Sequence, residues 1–345
     1  MASPAESGGS SIQKGAAKGG MSKKAVAVVA GVLIVAGAAG AFVFLGPKGG
    51  PSGPVIVHID GSSTVFPITS AWAGDFNNAN RQVVVAFSGT GGGFQKWCRG
   101  ETDLSDASRP ISSSERALCA TNNITGITDF QVAYDGLSLV VPLTNTWAQN
   151  LTVKQICRIW TSNTSAGACG GAGPHVTKWI QLNASWPDQE IKLYGPGTDS
   201  GTFDYFREVI LTKYTTAHTD QYFPSEDDNI LVQGVSNDMY AMGYFGFAYV
   251  AENANKIRPL AVDDQNETNG AGAILPTHES IRGGTYKPLG RPIYVYANAD
   301  SLAIPVVKDF LRFGFSTAGQ AIVEEVGYIG LTPSEVAAQV AKIPA

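Results

Sequence analysis

Ile191-Lys192-Leu193-Tyr194-Gly195-Pro196-Gly197-Thr198-Asp199-Ser200-Gly201-Thr202 is a short apolar run, a glycine-rich turn and a helix start, in that order. The same design occurs in Val55-Ile56-Val57-His58-Ile59-Asp60-Gly61-Ser62-Ser63-Thr64 and in Val83-Val84-Val85-Ala86-Phe87-Ser88-Gly89-Thr90-Gly91-Gly92-Gly93. Strand, turn and helix in succession are the units of an α/β fold with mainly parallel sheets. A helix start exposes unpaired N–H groups and carries about half a positive charge, so a single start is a weak anion site. Three of them, each furnished with hydroxyls and glycines, predict a pocket for a small tetrahedral oxyanion. Ordinary capping accounts for any one; the recurrence favours a ligand.

Helical periodicity follows each turn. Val65, Ile68, Trp72 and Phe76 fall on one face of a helix beginning near Thr64. Phe94, Trp97 and Cys98 do so after the triple glycine, and Phe203, Phe206 and Ile210 after Thr202. These aromatics are core residues rather than a cofactor box. Ser112-Ser113-Ser114-Glu115 and Thr152-Val153-Lys154-Gln155 have capping-box spacing and open further helices; Ser225-Glu226-Asp227-Asp228 has a similar spacing and reads as a solvated helix start. Val132–Pro142 and Pro292–Asn298 are β-rich runs without a glycine-turn-helix exit. They suit paired connectors between two lobes, with a last helix around Val306–Phe313 completing the first lobe.

The hydroxyls of Ser63, Thr64, Ser88, Ser200 and Thr202 and the bare backbone at Gly89 and Gly201 are the candidate anion donors. Ser105-Asp106-Ala107-Ser108-Arg109-Pro110 adds a cation. Arg109 presents a planar five-donor fork suited to an oxyanion, beside the Ser108 hydroxyl. A carboxylate in the same pocket repels a fully ionised ligand and accepts a hydrogen bond from a protonated one, which is how hydrogen phosphate is told from sulfate. Asp106 and Asp199 are the candidates for that role.

The chain has a net charge of −5, and residues 55–345 alone hold 19 basic against 28 acidic side chains. That balance excludes nucleic acid or an anionic lipid surface as the main partner of the folded part. An anion here is held by local dipoles and one or two placed cations. No metal or cofactor motif is present.

The N-terminal region stands apart. Residues 1–24 are rich in Gly, Ser, Ala and Lys and read as a disordered cytoplasmic tail. Residues 25–45 form an uncharged apolar run preceded by Lys23 and Lys24, about 31 Å long as a helix and so able to span a bilayer. With the linker 46–54 it reads as a membrane anchor that puts the remainder outside; a cleaved signal segment is the alternative. Met1 and Met21 are the two candidate starts. Four cysteines in an exported domain favour disulfides over free thiols. Cys98 with Cys119 and Cys157 with Cys169 are the favoured pairs because they close short loops. Asn-X-Ser/Thr sequons at Asn123, Asn150, Asn163, Asn183 and Asn266 are candidate glycosylation sites.

Gly61-Ser62-Ser63-Thr64-Val65, Ser88-Gly89-Thr90-Gly91, Asp106-Ala107-Ser108-Arg109-Pro110, Gly195–Phe203 and Gly243-Tyr244-Phe245-Gly246 together resemble the phosphate-binding protein of phosphate ABC importers. The resemblance covers most of residues 55–345. It implies a two-lobed, type II periplasmic-binding-protein-like fold with a hinge and a central cleft, here with lobe one over 55–140 and 290–345 and lobe two over 141–289. It implies inorganic phosphate as ligand, ABC permease subunits as partners, no catalysis, and phosphate contacts from Thr64, Val65, Ser88, Ser200, Gly201 and Thr202. Pro196 departs from members that carry an Arg there, a charge that Arg109 can replace. A secreted phosphatase or serine hydrolase and a surface phosphate sensor are the alternatives. Thr198-Asp199-Ser200-Gly201 superficially resembles a protease nucleophile motif, but His218 follows Ser200 in the chain rather than preceding it.

Overall fold

The structure, a computed structural model, describes residues 54–266, 268 and 272–345. The expected tail 1–24, the apolar segment 25–45 and all but the last residue of the linker 46–54 lie outside the described residues. Among the described residues no helix is long and apolar enough to cross a membrane.

From the N-terminal side the order is β1 (Val55–Gly61), α1 (Phe66–Phe76), β2 (Arg81–Val85), α2 (Gly89–Trp97), β3 (Leu104–Ala107), α3 (Ser113–Thr121) and β4 (Thr128–Pro142). Next come β5 (Asn150–Thr152), α4 (Val153–Trp160), the short α5 (Ala168–Gly171), β6 (Lys192–Gly195), α6 (Gly201–Phe206) and β7 (Phe223–Pro224). They lead to α7 (Asp228–Ser236), β8 (Ala241–Gly246), α8 (Phe247–Glu252), β9 (Ile257–Pro259), β10 (Ala261–Asp263) and α9 (His278–Arg282). The chain closes with β11 (Gly290–Ala297), α10 (Ala299–Ala303), α11 (Pro305–Gly314), α12 (Thr317–Glu325) and α13 (Pro333–Val340).

The main sheet has strand order β2-β1-β3-β11-β4-β8-β6-β7, with β9 also on β4. It is mixed rather than mainly parallel. β1 pairs parallel with β2 and β3, and β6 parallel with β8 and β7. The connectors β4 and β11 are antiparallel to each other, from Gly290↔Gly136 to Ala297↔Thr128. Antiparallel pairing follows from one connector leaving a half of the molecule and the other returning to it. β4 changes partner along its length: up to Gly136 it pairs with β11, and from Leu137 with β8.

Two large apolar cores lie on either side of that change. One gathers Val57 and Ile59 of β1, Ile68, Trp72 and Phe76 of α1, Phe130 of β4, Val295 of β11 and Phe310 of α11. The other gathers Leu137 and Leu139 of β4, Ile156 and Trp160 of α4, Phe206 of α6 and Tyr244 of β8. Trp72 is fully buried and donates its indole N–H to the Gly319 carbonyl at 2.8 Å. Deleting so large a buried ring costs about 3–5 kcal/mol.

The capping boxes at Ser112 and Thr152 form with both reciprocal bonds. Elsewhere the boundaries differ from the expectation. α2 starts at Gly89, ahead of the triple glycine, because α2 lies backbone-close on β1: a Cβ on Gly93 would sit 2.4 Å from the Gly61 Cα. Close approach outweighs the helix-weakening cost of glycine, about 1 kcal/mol per residue. α7 is capped by Asp227, which accepts from the Asn229 N–H, not by Ser225, whose backbone N–H is drawn back to the Gly195 carbonyl. The helix at 305–314 is not the last: α12 and α13 follow and return Val323 and Ile343 to the first core. Both favoured disulfides, Cys98–Cys119 and Cys157–Cys169, are present.

Candidate functional site

The helix starts on the β1–β3 side are built around one another. β1 ends at Gly61, the Ser62 N–H donates to the Asp106 carbonyl at 2.9 Å, and the Ser88 N–H donates to the Gly61 carbonyl at 3.0 Å. The ends of three neighbouring strands therefore carry the turns into α1 and α2 side by side. The Ser62 hydroxyl accepts from the Thr64 N–H, and the Tyr328 hydroxyl donates to the Thr64 carbonyl at 2.6 Å. Together these bonds hold the segment that precedes α1.

Opposite lies the start of α6, which Ser200 caps by accepting from the Thr202 N–H at 3.1 Å. The two starts touch. A Cβ on Gly201 would lie 2.7 Å from the Ser63 carbonyl oxygen, and the Thr64 hydroxyl donates to the Gly201 carbonyl at 3.3 Å.

A cavity opens on each side of this contact. The first, of about 320 Å³, is lined by Ser62, Ser63 and Thr64, by Gly89, Thr90 and Gly91, by Ser108 and Arg109, and across from them by Asp204, Tyr205 and Glu208. Thr90 and Ser108 share a hydroxyl–hydroxyl bond of 3.0 Å, and the Ser108 N–H donates to Thr90 Oγ1. Arg109 is aimed by Glu115 through two bonds, Nη1 to Oε2 at 2.9 Å and Nη2 to Oε1 at 2.8 Å. The same Glu115 closes the capping box on Ser112. Its bond raises the Arg109 guanidinium further above its ordinary pKa. Burial works to raise the Glu115 carboxyl, but the bonds from Arg109 and Ser112 outweigh it and hold it below the usual value. The result is an oriented planar cation with two hydroxyls, facing a rim that carries Asp204, whose Oδ2 accepts the Ser63 hydroxyl at 2.9 Å.

The second cavity, of about 310 Å³, is lined by Ser63, Phe66 and Phe87, by Ser200, Gly201 and Thr202, and by acidic residues: Asp135, Asp199, Glu226 and Asp228. Burial, with Asp227 and Glu226 nearby, pushes Asp228 up to about 7. Burial raises Asp135 to about 6 against the opposing charge of Arg291. Four carboxyls make this cavity unsuited to a fully ionised anion.

A family model for the PBP superfamily domain matches residues 48–318. The chain is 41% identical over 278 residues to protein SphX of Synechocystis sp., covering 80% of this chain and 78% of that protein. It is 32% identical over 316 residues to phosphate-binding protein PstS of Staphylococcus saprophyticus, covering 89% of this chain and 92% of the relative. The crystal structure of a possible phosphate binding protein from Planctomyces limnophilus superposes with a TM-score of 0.76 at 40% identity, over 85% of this chain and 98% of that one. The chain belongs to the PstS-like branch of the PBP superfamily.

Against that PstS-like frame the expected site residues separate into three groups. Ser63, Thr64, Gly89, Ser108 and Arg109 come together in the first cavity. Ser200, Gly201 and Thr202 line the second, which Ser63 also reaches, so the backbone contact at Gly201 divides the expected set. Val65, Ser88 and Asp106 line neither. The Val65 side chain is fully buried in the first core. The Ser88 hydroxyl turns back to donate to Asp60 Oδ1 at 2.6 Å, where Lys96 also reaches Asp60. Asp106 is fully buried beneath α1 and takes the Thr69 hydroxyl at 2.6 Å; burial pushes it up to about 8. Asp106 is therefore a protonated carboxyl beneath the site rather than a wall of it. Asp199 lies in the second cavity.

Thr90, Asp204 and Arg291 are among the residues that escaped the sequence reasoning. Thr90 sits inside the quoted glycine stretch, and its hydroxyl between glycines was the signal available. Arg291 stands one residue before the second connector run. Its partners Thr64, Asp135 and Glu208 are 227, 156 and 83 positions away, so no local pattern announced it.

Proposed function

We propose that this chain binds inorganic phosphate outside the cytoplasmic membrane, in a cleft between two α/β lobes, and delivers it to an ABC permease. The observation that carries this reading is the first cavity, where Thr90, Ser108 and the Glu115-aimed Arg109 meet the start of α1. Relatives named for phosphate binding cover most of the chain, which supports the ligand class. The lobes are 55–140 with 290–345, and 141–289, with β4 and β11 as the hinge connectors. Closure buries the ligand and strengthens each bond by excluding water. Ser200, Gly201 and Thr202 bring donors from lobe two to the same ion, which stands beside the contact of the two helix starts, within reach of both. Asp204, at the rim of the first cavity, supplies a carboxylate that accepts a hydrogen bond from hydrogen phosphate and repels sulfate.

The activity is binding without catalysis. The apolar segment 25–45 anchors the protein. Asn123, Asn150, Asn183 and Asn266 are exposed and accessible to glycosylation. Calorimetry with phosphate, sulfate, arsenate and phosphonate tests the ligand, with phosphate expected to bind tightest. Replacing Ser200 or Thr202 by Ala weakens binding by about 1–3 kcal/mol, the cost of an unmet charged acceptor. Unchanged affinity in both variants, or turnover of a chromogenic phosphoester lost with Ser200→Ala, overturns the proposal. The mass of the mature protein reports anchor retention and glycan.

A further inference from the structure

Arg291 lies on the connector β11, in register with Asp135 on the connector β4. Its side chain is 13% exposed and reaches three separate parts of the fold. Nη2 donates to Thr64 Oγ1 at 3.2 Å, at the start of α1. Nη1 donates to Glu208 Oε2 at 3.1 Å, and the guanidinium lies 3.4 Å over the Tyr205 ring centroid. Nε faces Asp135 Oδ2 at 3.5 Å without forming a hydrogen bond. Glu208 and Tyr205 belong to the helical run 201–211 that begins at the α6 start. Thr64 in turn donates to the Gly201 carbonyl. A closed circuit results: the α6 run to Arg291, Arg291 to Thr64, and Thr64 back to the α6 start.

We infer that Arg291 is a positioning residue, a latch on the hinge that holds the α1 and α6 starts together and sets how slowly the phosphate is released. The inference rests on the phosphate reading above. Its physical basis is the distribution of the contacts. Thr64 sits on one side of the cleft, Tyr205 and Glu208 on the other, so parting the two starts must break one set. A hydrogen bond or cation–π contact broken on opening stabilises the closed form alone. Such contacts lower the dissociation rate and leave the encounter with the open form untouched. An Arg is suited to the task because one planar fork bonds in two directions while its face stacks on a ring. A purely structural ion pair within the hinge would be indifferent to whether ligand is held, which separates the two roles experimentally.

The test uses the full chain carrying Arg291→Lys, Glu208→Gln or both, with inorganic phosphate as probe. Release of radiolabelled phosphate into excess unlabelled phosphate gives the dissociation rate, rapid mixing gives the association rate, and thermal melting confirms folding. Glu208 is half exposed, so E208Q folds even if the buried Arg291 tolerates no change. Release accelerates roughly two- to five-fold in E208Q and about ten-fold in R291K, in line with a half-exposed pair and a buried charged bond respectively. Association stays within about two-fold in R291K and holds or rises in E208Q, where a carboxylate lining the first cavity is neutralised, and the double variant releases no faster than R291K because both changes cut one circuit. Unchanged release in both single variants overturns the latch. So does an association rate that falls in proportion to affinity, since Arg291 would then meet the ligand itself. A wild-type chain that retains no phosphate overturns the phosphate reading instead, and is distinguishable because it needs no variant.

Discussion

Gly201 lies backbone to backbone against Ser63: a Cβ added to Gly201 would stand 2.7 Å from the Ser63 carbonyl oxygen and 2.8 Å from the Thr64 Cα. This contact brings the α1 and α6 starts together and parts the two cavities. Gly201→Ala therefore obstructs approach of the starts without harming either half. Forced overpacking costs about 1–3 kcal/mol, so phosphate affinity falls about ten-fold or more by calorimetry. The melting temperature of the ligand-free variant reports whether either half is harmed, since the added Cβ meets first the facing Ser63–Thr64 backbone. Full affinity in this variant would show that the starts need not close.

Arg109 is the cation that Glu115 aims into the first cavity. Arg109→Ala lowers phosphate affinity by about 1.5–3 kcal/mol, the worth of hydrogen bonds to a charged group. Arg109→Lys recovers part of it, since an ammonium keeps the charge and loses the two-point bond to Glu115 that aims the guanidinium. Glu115→Gln weakens binding less, by loosening the aim rather than removing the donor. Titration calorimetry on the three variants should rank them in that order of loss: Ala, then Lys and Gln. A reversed rank would move the anion away from Arg109.

Asp106 holds a proton in the folded protein up to about pH 8, against an ordinary value of 3.8. Between those limits the folded state binds a proton that the unfolded state has released, so stability falls as pH rises through the window and levels off above it. Asp135, raised to about 6, adds to the fall over the lower part of the same range. Asp106→Asn removes the Asp106 share, flattening the slope by up to about 1.4 kcal/mol per pH unit. Urea unfolding at pH 5 and pH 8 measures this, and parallel profiles for variant and wild type would contradict it.

Cys98–Cys119 spans 21 positions and ties the end of α2 to α3, whereas Cys157–Cys169 spans 12. All four sulfurs belong to fully buried residues. Replacing either pair with Ala costs about 2–4 kcal/mol, slightly more for the longer loop on the chain-entropy account. An unaltered urea midpoint after removal of either pair would refute this.

Features written in neighbouring residues could be read without coordinates. The capping boxes at Ser112 and Thr152 need a hydroxyl and an acid or amide three positions apart, and both formed. Short disulfide loops and the two β-rich connectors are likewise local or compositional. The acidic balance alone restricts how an anion can be held. Which hydroxyls face the same space is a different kind of question, because it depends on strand order and on the direction each turn takes. Ser88 and Thr90 are two positions apart, yet one bonds to Asp60 and the other lines the cavity with Ser108 and Arg109. Asp106 reads as a site carboxylate in one dimension and is a buried, protonated group beneath α1 in three. Arg291 collects partners from across the chain: the pairing of the two connectors supplies Asp135, and the α1 start and the 207–211 helical run, packed against β11, supply Thr64 and Glu208. Backbone hydrogen bonding over three or four residues is specified by the residues themselves; burial and long-range charge pairing exist only once distant segments have met.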